Sequence, residues 1–187
     1  TCGGETLAEG IAVKKPGDVT KPVVSNLVDD ILLVDEQSLE WAVGSLIEQQ
    51  RVVSEGAGAA GIAAIRQNPS LFAGKKVGVV ICGGNIDPRL LASILNRNMA
   101  SDGRLARLRI DISDEPGMLA AITTSISRCG GNIVEIYHQR LFYDVPAKLA
   151  KIDAVIETRG PEHVNEIVAD LRGSNFLVRQ LEDSSAS

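Results

Sequence analysis

The sequence is short of aromatic and histidine residues and has few cysteines. Aromatic residues make up 3% of the 187 residues, and the two histidines, His138 and His163, stand alone. A nucleophilic triad needs a base, a nucleophile and an orienting acid, and the spacing supports no such triad. Cys2, Cys82 and Cys129 match neither a disulfide framework nor a zinc site, which favours reduced thiols and no bound metal.

Long apolar runs and an excess of basic charge are also missing. No stretch of about 18 apolar residues is present to span a bilayer, and the first ten residues lack the features of a secretory signal. The formal net charge is -5 and the pI is near 5.1, which disfavours a protein that binds a nucleic-acid backbone. We therefore expect a cytoplasmic protein that binds neither membrane nor nucleic acid.

The first half of the chain alternates apolar runs with helix starts. Residues 30–34 and 76–81 are predicted to be buried strands, and Asp35 and Asp87 are predicted to cap the helices that follow. The segment EGAGAAGIAAI, residues 55–65, is predicted to be a helix whose small residues permit close approach, either by a neighbouring segment or by a ligand. This order of elements predicts an α/β architecture with ligands near helix N-termini.

The second half follows a different pattern after the polar stretch at residues 96–103. Its predicted strands and helices alternate as βαββαβ, the pattern of a ferredoxin-like α+β domain. The predicted strands begin at Leu105 and cover 132–142, 151–158 and 176–181, and the predicted helices begin at Pro116 and Pro161. Such a sheet has one open face and exposed edges, which favours association with a second copy.

Five motifs resemble known families. TLAEGIAVKKPG (6–17), EGAGAAG (55–61) and CGGNID (82–87) resemble the C-terminal third of the catalytic domain of threonine dehydratase, or threonine ammonia-lyase, a fold-type II pyridoxal phosphate enzyme. RLRIDISDEPGMLAAITTSI (107–126) and GGNIVEIYHQR (130–140) resemble an ACT domain, a small amino-acid-sensing module. The resemblance implies part of a catalytic domain over residues 1–100, followed by a βαββαβ ACT domain over residues 104–187.

The resemblance implies five residues at a pyridoxal phosphate site. Cys82 occupies the position that faces the pyridine nitrogen, where a neutral group suits β-elimination. Gly83 and Gly84 would leave room for the ring, Glu55 would belong to the wall of the site, and the backbone of Gly10 would line the ring. Three alternatives remain open from the sequence: a helix N-terminal charge for Glu55, a plain turn for Gly10 and a merely buried thiol for Cys82.

The chain departs from the family at its catalytic lysine. Neither the Schiff-base lysine nor the glycine-rich phosphate loop is present, and Lys14 and Lys15 do not occupy that role. We therefore expect that this chain contains no catalytic residue. We also expect it to bind the cofactor weakly and to show no activity alone. The chain is interpreted as the regulatory portion of an enzyme that converts threonine to 2-oxobutanoate and ammonia. The alternative is a free-standing module that binds amino acids and dimerises.

The resemblance also implies an effector site between the turn after the first strand and the second strand of a neighbouring subunit. Its residues would be Asp114, Glu115, Pro116, Gly117, Met118, Leu119 and Asn132. Pro116 is predicted at the first helical position and Gly117 in the first turn, where glycine costs up to about 1 kcal/mol unless a close ligand compensates. A capped helix start with no ligand is the alternative. By resemblance to the feedback-regulated enzymes, isoleucine or valine is the expected effector, in a homo-oligomer formed through the ACT domain. A catabolic enzyme with another effector or none is the alternative.

Overall fold

The computed structural model describes residues 5–139 and 148–181. The chain divides into two compact units, residues 1–98 and 99–187. Among the described residues, no helix has the length and apolar character needed to cross a membrane. The assignment of residues 1–100 to a catalytic domain and of 104–187 to a regulatory domain stays a prediction.

The first unit is built from helices. Besides a 3-10 turn at Glu9–Ile11 and a π-helical turn at Leu46–Gln50, its helices are α1 (Thr20–Leu27), α2 (Glu36–Ser45), α3 (Gly56–Gln67), α4 (Pro69–Phe72) and most of α5 (Pro88–Ser101). The Asp35 carboxylate accepts a hydrogen bond from the Ser38 N–H at 2.7 Å, and the Asp87 carboxylate accepts one from the Leu90 N–H at 2.9 Å. Both predicted helix caps are therefore confirmed.

The core of this unit lies between α2, α3 and α5. Its buried residues are Ala8, Leu39, Ala42, Val43, Leu46, Ala59, Ala63 and Ile94. α2 supplies Leu39, Ala42 and Val43, and Leu46 follows directly after it, whereas α3 contributes only alanines. Because alanine and glycine are small, the backbone of α3 lies close to the segments that pack on it.

The two strands predicted in the first unit are not formed. Residues 28–35 and 75–87 contain neither helix nor strand. Val34 and Ile81 pack against the core, but Leu33 is 87% exposed and Val80 is 83% exposed. A strand requires a neighbour to complete its ladder of backbone hydrogen bonds, and the described part of this unit forms no such ladder. The strand prediction is therefore wrong for this chain, although one side of each segment packs inward.

The second unit contains one four-stranded antiparallel sheet. Its elements are β1 (Leu105–Ser113), α6 (Met118–Arg128), β2 (Asn132–Gln139), β3 (Leu149–Glu157), α7 (Pro161–Gly173) and β4 (Leu177–Leu181). The strand order is β2-β3-β1-β4. This confirms the predicted βαββαβ ferredoxin-like topology. Residues 140–142, at the end of the predicted second strand, lie outside the described residues.

Alternating residues of this sheet form the core of the second unit. The fully buried aliphatic side chains of β1 and β3 include Ile110, Ile152 and Ile156, and α6 and α7 cover them with Ile122, Ile126, Ile167 and Leu171. Burial of each such side chain contributes about 1.5–3 kcal/mol. Both helices therefore pack their apolar faces on the sheet. The opposite face of the sheet carries charged residues.

Candidate functional site

Three segments that are distant in sequence meet at the N-terminus of α3. Glu55 occupies the N-cap position, and its N–H donates to the carbonyl of Gly83 at 2.9 Å. A Cβ atom added to Gly83 would lie 2.4 Å from the Glu55 Oε1 atom, and one added to Gly10 would lie 3.2 Å from it. The structure therefore brings Gly10, Glu55 and Gly83 together around one carboxylate. We call these residues, with Ser54, Gly58 and Cys82, the Glu55 cluster.

The turn after residue 81 requires glycine for two reasons. Gly83 has a φ of +71°, a left-handed conformation that side chains disfavour, and the Glu55 side chain fills the space where its Cβ atom would stand. Gly84 is less constrained, because a Cβ atom there would first meet the Val53 carbonyl at 3.6 Å. Cys82 is exposed, so the interpretation of it as a buried thiol is wrong.

Sequence reasoning missed the role of Ser54 and Gly58 in this cluster. The Cys82 carbonyl lies so close to α3 that a Cβ atom on Gly58 would be 1.6 Å from its oxygen and 2.5 Å from the Ser54 Oγ atom. Ser54 is fully buried, and its hydroxyl donates to the Glu55 carbonyl at 3.0 Å. The only sequence signal for this contact is the run of small residues. Close packing of the backbone therefore explains the glycine at position 58. Of the two possibilities given for this helix, close approach by a neighbouring segment is the one that applies to Gly58.

The N-terminal motif is fixed to the start of α2. The Leu7 N–H donates to Glu36 Oε2 at 2.8 Å, and the Thr6 hydroxyl donates to Glu36 Oε1. The Leu7 carbonyl also packs on α3, because a Cβ atom on Gly56 would lie 2.3 Å from its oxygen. These contacts hold Gly10 beside Glu55.

The Glu55 cluster fits one wall of a cofactor site. Gly10, Cys82, Gly83 and Gly84 are all exposed, and three of them present backbone without a side chain. The Glu55 side chain occupies the space beside Gly83, whereas a Cβ atom on Gly84 would first meet the Val53 carbonyl at 3.6 Å, so Gly84 leaves the open approach that a flat ring needs. The cluster contains no lysine, so a covalent bond to an aldehyde cofactor would need a group from elsewhere.

The effector turn differs from its prediction. α6 begins at Met118, and Gly117 is its N-cap residue with a φ of +93°. Pro116 is therefore not at the first helical position, and Gly117 is not in the first turn. The left-handed backbone alone explains the glycine, so the argument that a ligand must compensate for it is wrong. A Cβ atom on Gly117 would meet nothing within 4 Å, so the space beside the turn is open.

One chain does not bring the two predicted parts of the effector site together. Gly117 precedes α6 and Asn132 follows it, and a helix of 11 residues separates such points by about 16 Å. The Asn132 side chain donates to Glu157 Oε2 at 3.0 Å. A site that uses both Gly117 and Asn132 therefore takes them from two copies, as the prediction required.

Substitution of Gly117 tests the role of its backbone conformation. We expect Gly117→Ala to lower the free energy of unfolding of the second unit by about 1 kcal/mol, because an L side chain is strained at positive φ. Urea unfolding followed by circular dichroism measures this change. Gly173→Ala is the matched control, since that glycine is helical and a Cβ atom on it meets nothing within 4 Å. Equal losses in both variants would contradict the assignment.

A polar bridge joins α6 and α7. Asp170 accepts a hydrogen bond from the Ser125 hydroxyl, and Arg128 Nη2 lies 2.7 Å from both of its oxygens. The Ser125 hydroxyl and then the Arg128 guanidinium hold the pKa of Asp170 below its ordinary value. Burial, together with the nearby Asp170 charge, raises the pKa of the Cys129 thiol. Asp170 is therefore ionised at neutral pH, and Cys129 is a protonated thiol.

Comparison with known proteins supports the motifs of both units. Residues 2–83 match the family described as pyridoxal-phosphate dependent enzyme. Two proteins named L-threonine ammonia-lyase, from Thermotoga maritima and Geobacter sulfurreducens, are 40% and 37% identical to this chain over 177 residues. Each alignment covers 95% of the chain and 44% of the relative. The resemblance to threonine ammonia-lyase is confirmed, and the chain spans less than half the length of these relatives.

One solved structure that part of this chain resembles is an ACT domain from the GTP pyrophosphokinase of Chlorobium tepidum. It is 24% identical, covers 41% of this chain and 96% of its own, and has a TM-score of 0.34.

Proposed function

We propose that this chain is part of a pyridoxal phosphate-dependent threonine ammonia-lyase, of which residues 2–83 match the enzyme family and the second unit is the regulatory part. The observation that carries this proposal is the convergence of three family motifs on the N-terminus of α3, at Gly10, Glu55 and Gly83. Because the chain spans 44% of the aligned relatives, catalysis requires the portion of the enzyme that this chain does not contain.

The Glu55 cluster would form one wall of the cofactor site in the complete enzyme. When bound, pyridoxal phosphate supplies the electron sink for β-elimination of the substrate hydroxyl. Gly10 and Gly84 would let the backbone approach the ring, and the Glu55 carboxylate would fix the turn of Gly83. The Cys82 thiol would face the ring nitrogen as a neutral group, which does not hold that nitrogen protonated.

Substitution of Cys82 tests its position against the ring. In the complete enzyme we expect Cys82→Ser to retain activity, because the hydroxyl is also neutral. We expect Cys82→Asp to shift the absorbance of the bound cofactor and to change the reaction course, because a carboxylate stabilises the protonated ring nitrogen. Absorbance spectra and product analysis measure both effects. Identical behaviour of the two variants and the parent would contradict a ring-facing role.

The second unit would sense a free amino acid and bias the catalytic part. A βαββαβ unit with an open sheet face and edge strands β2 and β4 supports assembly of two copies. Isoleucine or valine is the proposed effector, and the complete enzyme would belong to isoleucine biosynthesis. We place it in the cytoplasm, a reducing compartment in which the free thiols of Cys82 and Cys129 would stay reduced. The second candidate is a free-standing amino-acid-binding and dimerisation module, which the folded βαββαβ unit supports by itself.

Two measurements on the chain test this proposal. Calorimetric titration with isoleucine, valine, threonine and serine should show saturable binding of at least one of them, and binding of none would contradict the sensing role.

Pyridoxal phosphate added to the chain should give no visible absorbance of enzyme-bound cofactor and no ammonia from threonine. Ammonia release by the chain alone would show that it is a self-sufficient enzyme, against the proposal.

A further inference from the structure

Ser54 carries a buried hydroxyl to which the proposed function gives no role. It lies directly before Glu55, the N-cap residue of α3, and it is fully buried. Its hydroxyl donates to the Glu55 carbonyl at 3.0 Å and to the Cys82 carbonyl at 3.5 Å, the longer arm of a shared hydrogen bond. The Glu55 carbonyl also accepts the Ala59 N–H at 3.1 Å, as part of α3 itself. The Glu55 carbonyl is therefore satisfied without Ser54.

The Cys82 carbonyl is the acceptor that depends on this hydroxyl. Among the described residues, Ser54 is its one hydrogen-bond donor. The carbonyl packs on α3 in the room that Gly58 leaves by having no side chain. Burial of a carbonyl against a helix without a donor is unfavourable, so the Ser54 hydroxyl compensates for this close packing.

The turn at Cys82 and Gly83 is held to α3 at two successive residues. The Gly83 carbonyl accepts the Glu55 N–H at 2.9 Å, and the Cys82 carbonyl accepts the Ser54 hydroxyl. Two successive residues of the turn are thus bonded to two successive residues at the start of α3. Since a side chain takes its direction from the backbone that carries it, these two bonds set where the Cys82 thiol lies.

We propose that Ser54 is a positioning residue of the cofactor site, whose hydroxyl holds the Cys82 carbonyl on α3 and so places the Cys82 thiol against the ring. This inference rests on the proposed function, in which that thiol faces the ring nitrogen. Alanine at position 54 leaves the Cys82 carbonyl without its donor, and the Glu55–Gly83 bond alone then holds the turn. The alternative is a serine that only stabilises the first unit.

The carbonyl resonance of Cys82 tests the contact in the chain itself. With Cys2 and Cys129 replaced by Ser, cysteine labelled with 13C at its carbonyl gives one resonance. We expect Ser54→Ala to move it to lower chemical shift, because a hydrogen bond deshields a carbonyl carbon. Ala63→Gly is the control, since Ala63 is fully buried on α3 outside the Glu55 cluster and glycine weakens the helix. A resonance that Ser54→Ala leaves in place, or that both variants move equally, would overturn the contact.

The complete enzyme tests the consequence for the cofactor. This chain is joined to the part of the Thermotoga maritima L-threonine ammonia-lyase that it does not match. We expect Ser54→Ala to shift the absorbance of the bound cofactor and to lower kcat for threonine about tenfold with KM nearly unchanged, because the loss is one of orientation. Both Ser54→Ala and Ala63→Gly should unfold at a lower urea concentration than the parent. Ala63→Gly should nevertheless keep the parent's absorbance and kcat.

The outcomes separate this inference from the proposed function. Ammonia release by the loaded enzyme, with the parent's absorbance and kcat retained in Ser54→Ala, would overturn the positioning role and keep the function. Equal changes in Ser54→Ala and Ala63→Gly would show that Ser54 only stabilises the fold, which also overturns the role. If the loaded enzyme releases no ammonia from threonine, the proposed function fails, and the absorbance of the bound cofactor still decides the role of Ser54.

Discussion

Replacement of Asp153 by Ala is expected to destabilise the second unit by about 2 kcal/mol. Asp153 is fully buried, although it lies on the charged face of the sheet. Arg109 donates to it from Nε and Nη2, both at 2.7 Å, and Arg107 donates from Nη2 at 3.1 Å. The expected loss of stability is smaller than for a fully buried ion pair, because half of the Arg107 side chain is exposed. Urea unfolding at neutral pH measures it.

The same carboxylate makes stability depend on pH. Hydrogen bonds from Arg109 hold the pKa of Asp153 below its ordinary value of 3.8, despite the opposing effect of burial. Because the folded pKa is lower than the unfolded pKa, the stabilisation is present above about pH 4 and is lost as the pH falls through the folded value. The difference between parent and Asp153→Asn should therefore shrink in acid. Asp111→Asn, at the exposed pair with Arg179, is the control and should change stability by about 0.5 kcal/mol or less.

Replacement of Gly58 by Ala is expected to disrupt the Glu55 cluster. Alanine is the better helix former by about 1 kcal/mol, but its Cβ atom would stand 1.6 Å from the Cys82 carbonyl oxygen. Backbone must move to relieve this overlap, at a cost of about 3 kcal/mol, so the clash outweighs the gain in helix propensity. The single tryptophan, Trp41 on α2, lies 4.4 Å from the Arg66 guanidinium of α3 and reports this change by fluorescence.

Gly78→Ala is the matched control for Gly58→Ala. A Cβ atom on Gly78 meets nothing within 4 Å, and its φ lies outside the left-handed region. This variant should unfold at the same urea concentration as the parent or a higher one. A Gly58→Ala variant that unfolds like Gly78→Ala would show that Cys82 does not pack on α3.

The second unit could be predicted closely because its residues pair with one another. Alternation in β1 and β3 and the apolar faces of α6 and α7 are satisfied within the unit, so local pattern and final packing agree. The start of α6 was missed because proline at the first helical position is common, whereas a left-handed Gly117 leaves no distinct signal. The Arg109–Asp153 pair was also missed, because strand register is not visible in sequence.

The first unit shows the limit of prediction from local pattern. The runs at 30–34 and 76–81 have the composition of buried strands, but a strand depends on partners that these segments do not find in the described chain. The helix caps Asp35 and Asp87 need only the next turn and were predicted correctly. Motif resemblance identified Gly10, Glu55 and Gly83, while the Gly58 contact emerged only from the packing of Cys82 on α3.

Threonine deamination by a completed enzyme tests the central claim most directly. The part of the Thermotoga maritima L-threonine ammonia-lyase that this chain does not match is joined to this chain, and ammonia release from threonine is measured with and without isoleucine and valine. We predict pyridoxal phosphate-dependent release that isoleucine or valine alters, that Gly58→Ala abolishes and that Gly78→Ala preserves. A folded, cofactor-loaded chimera that releases no ammonia from threonine would contradict the account.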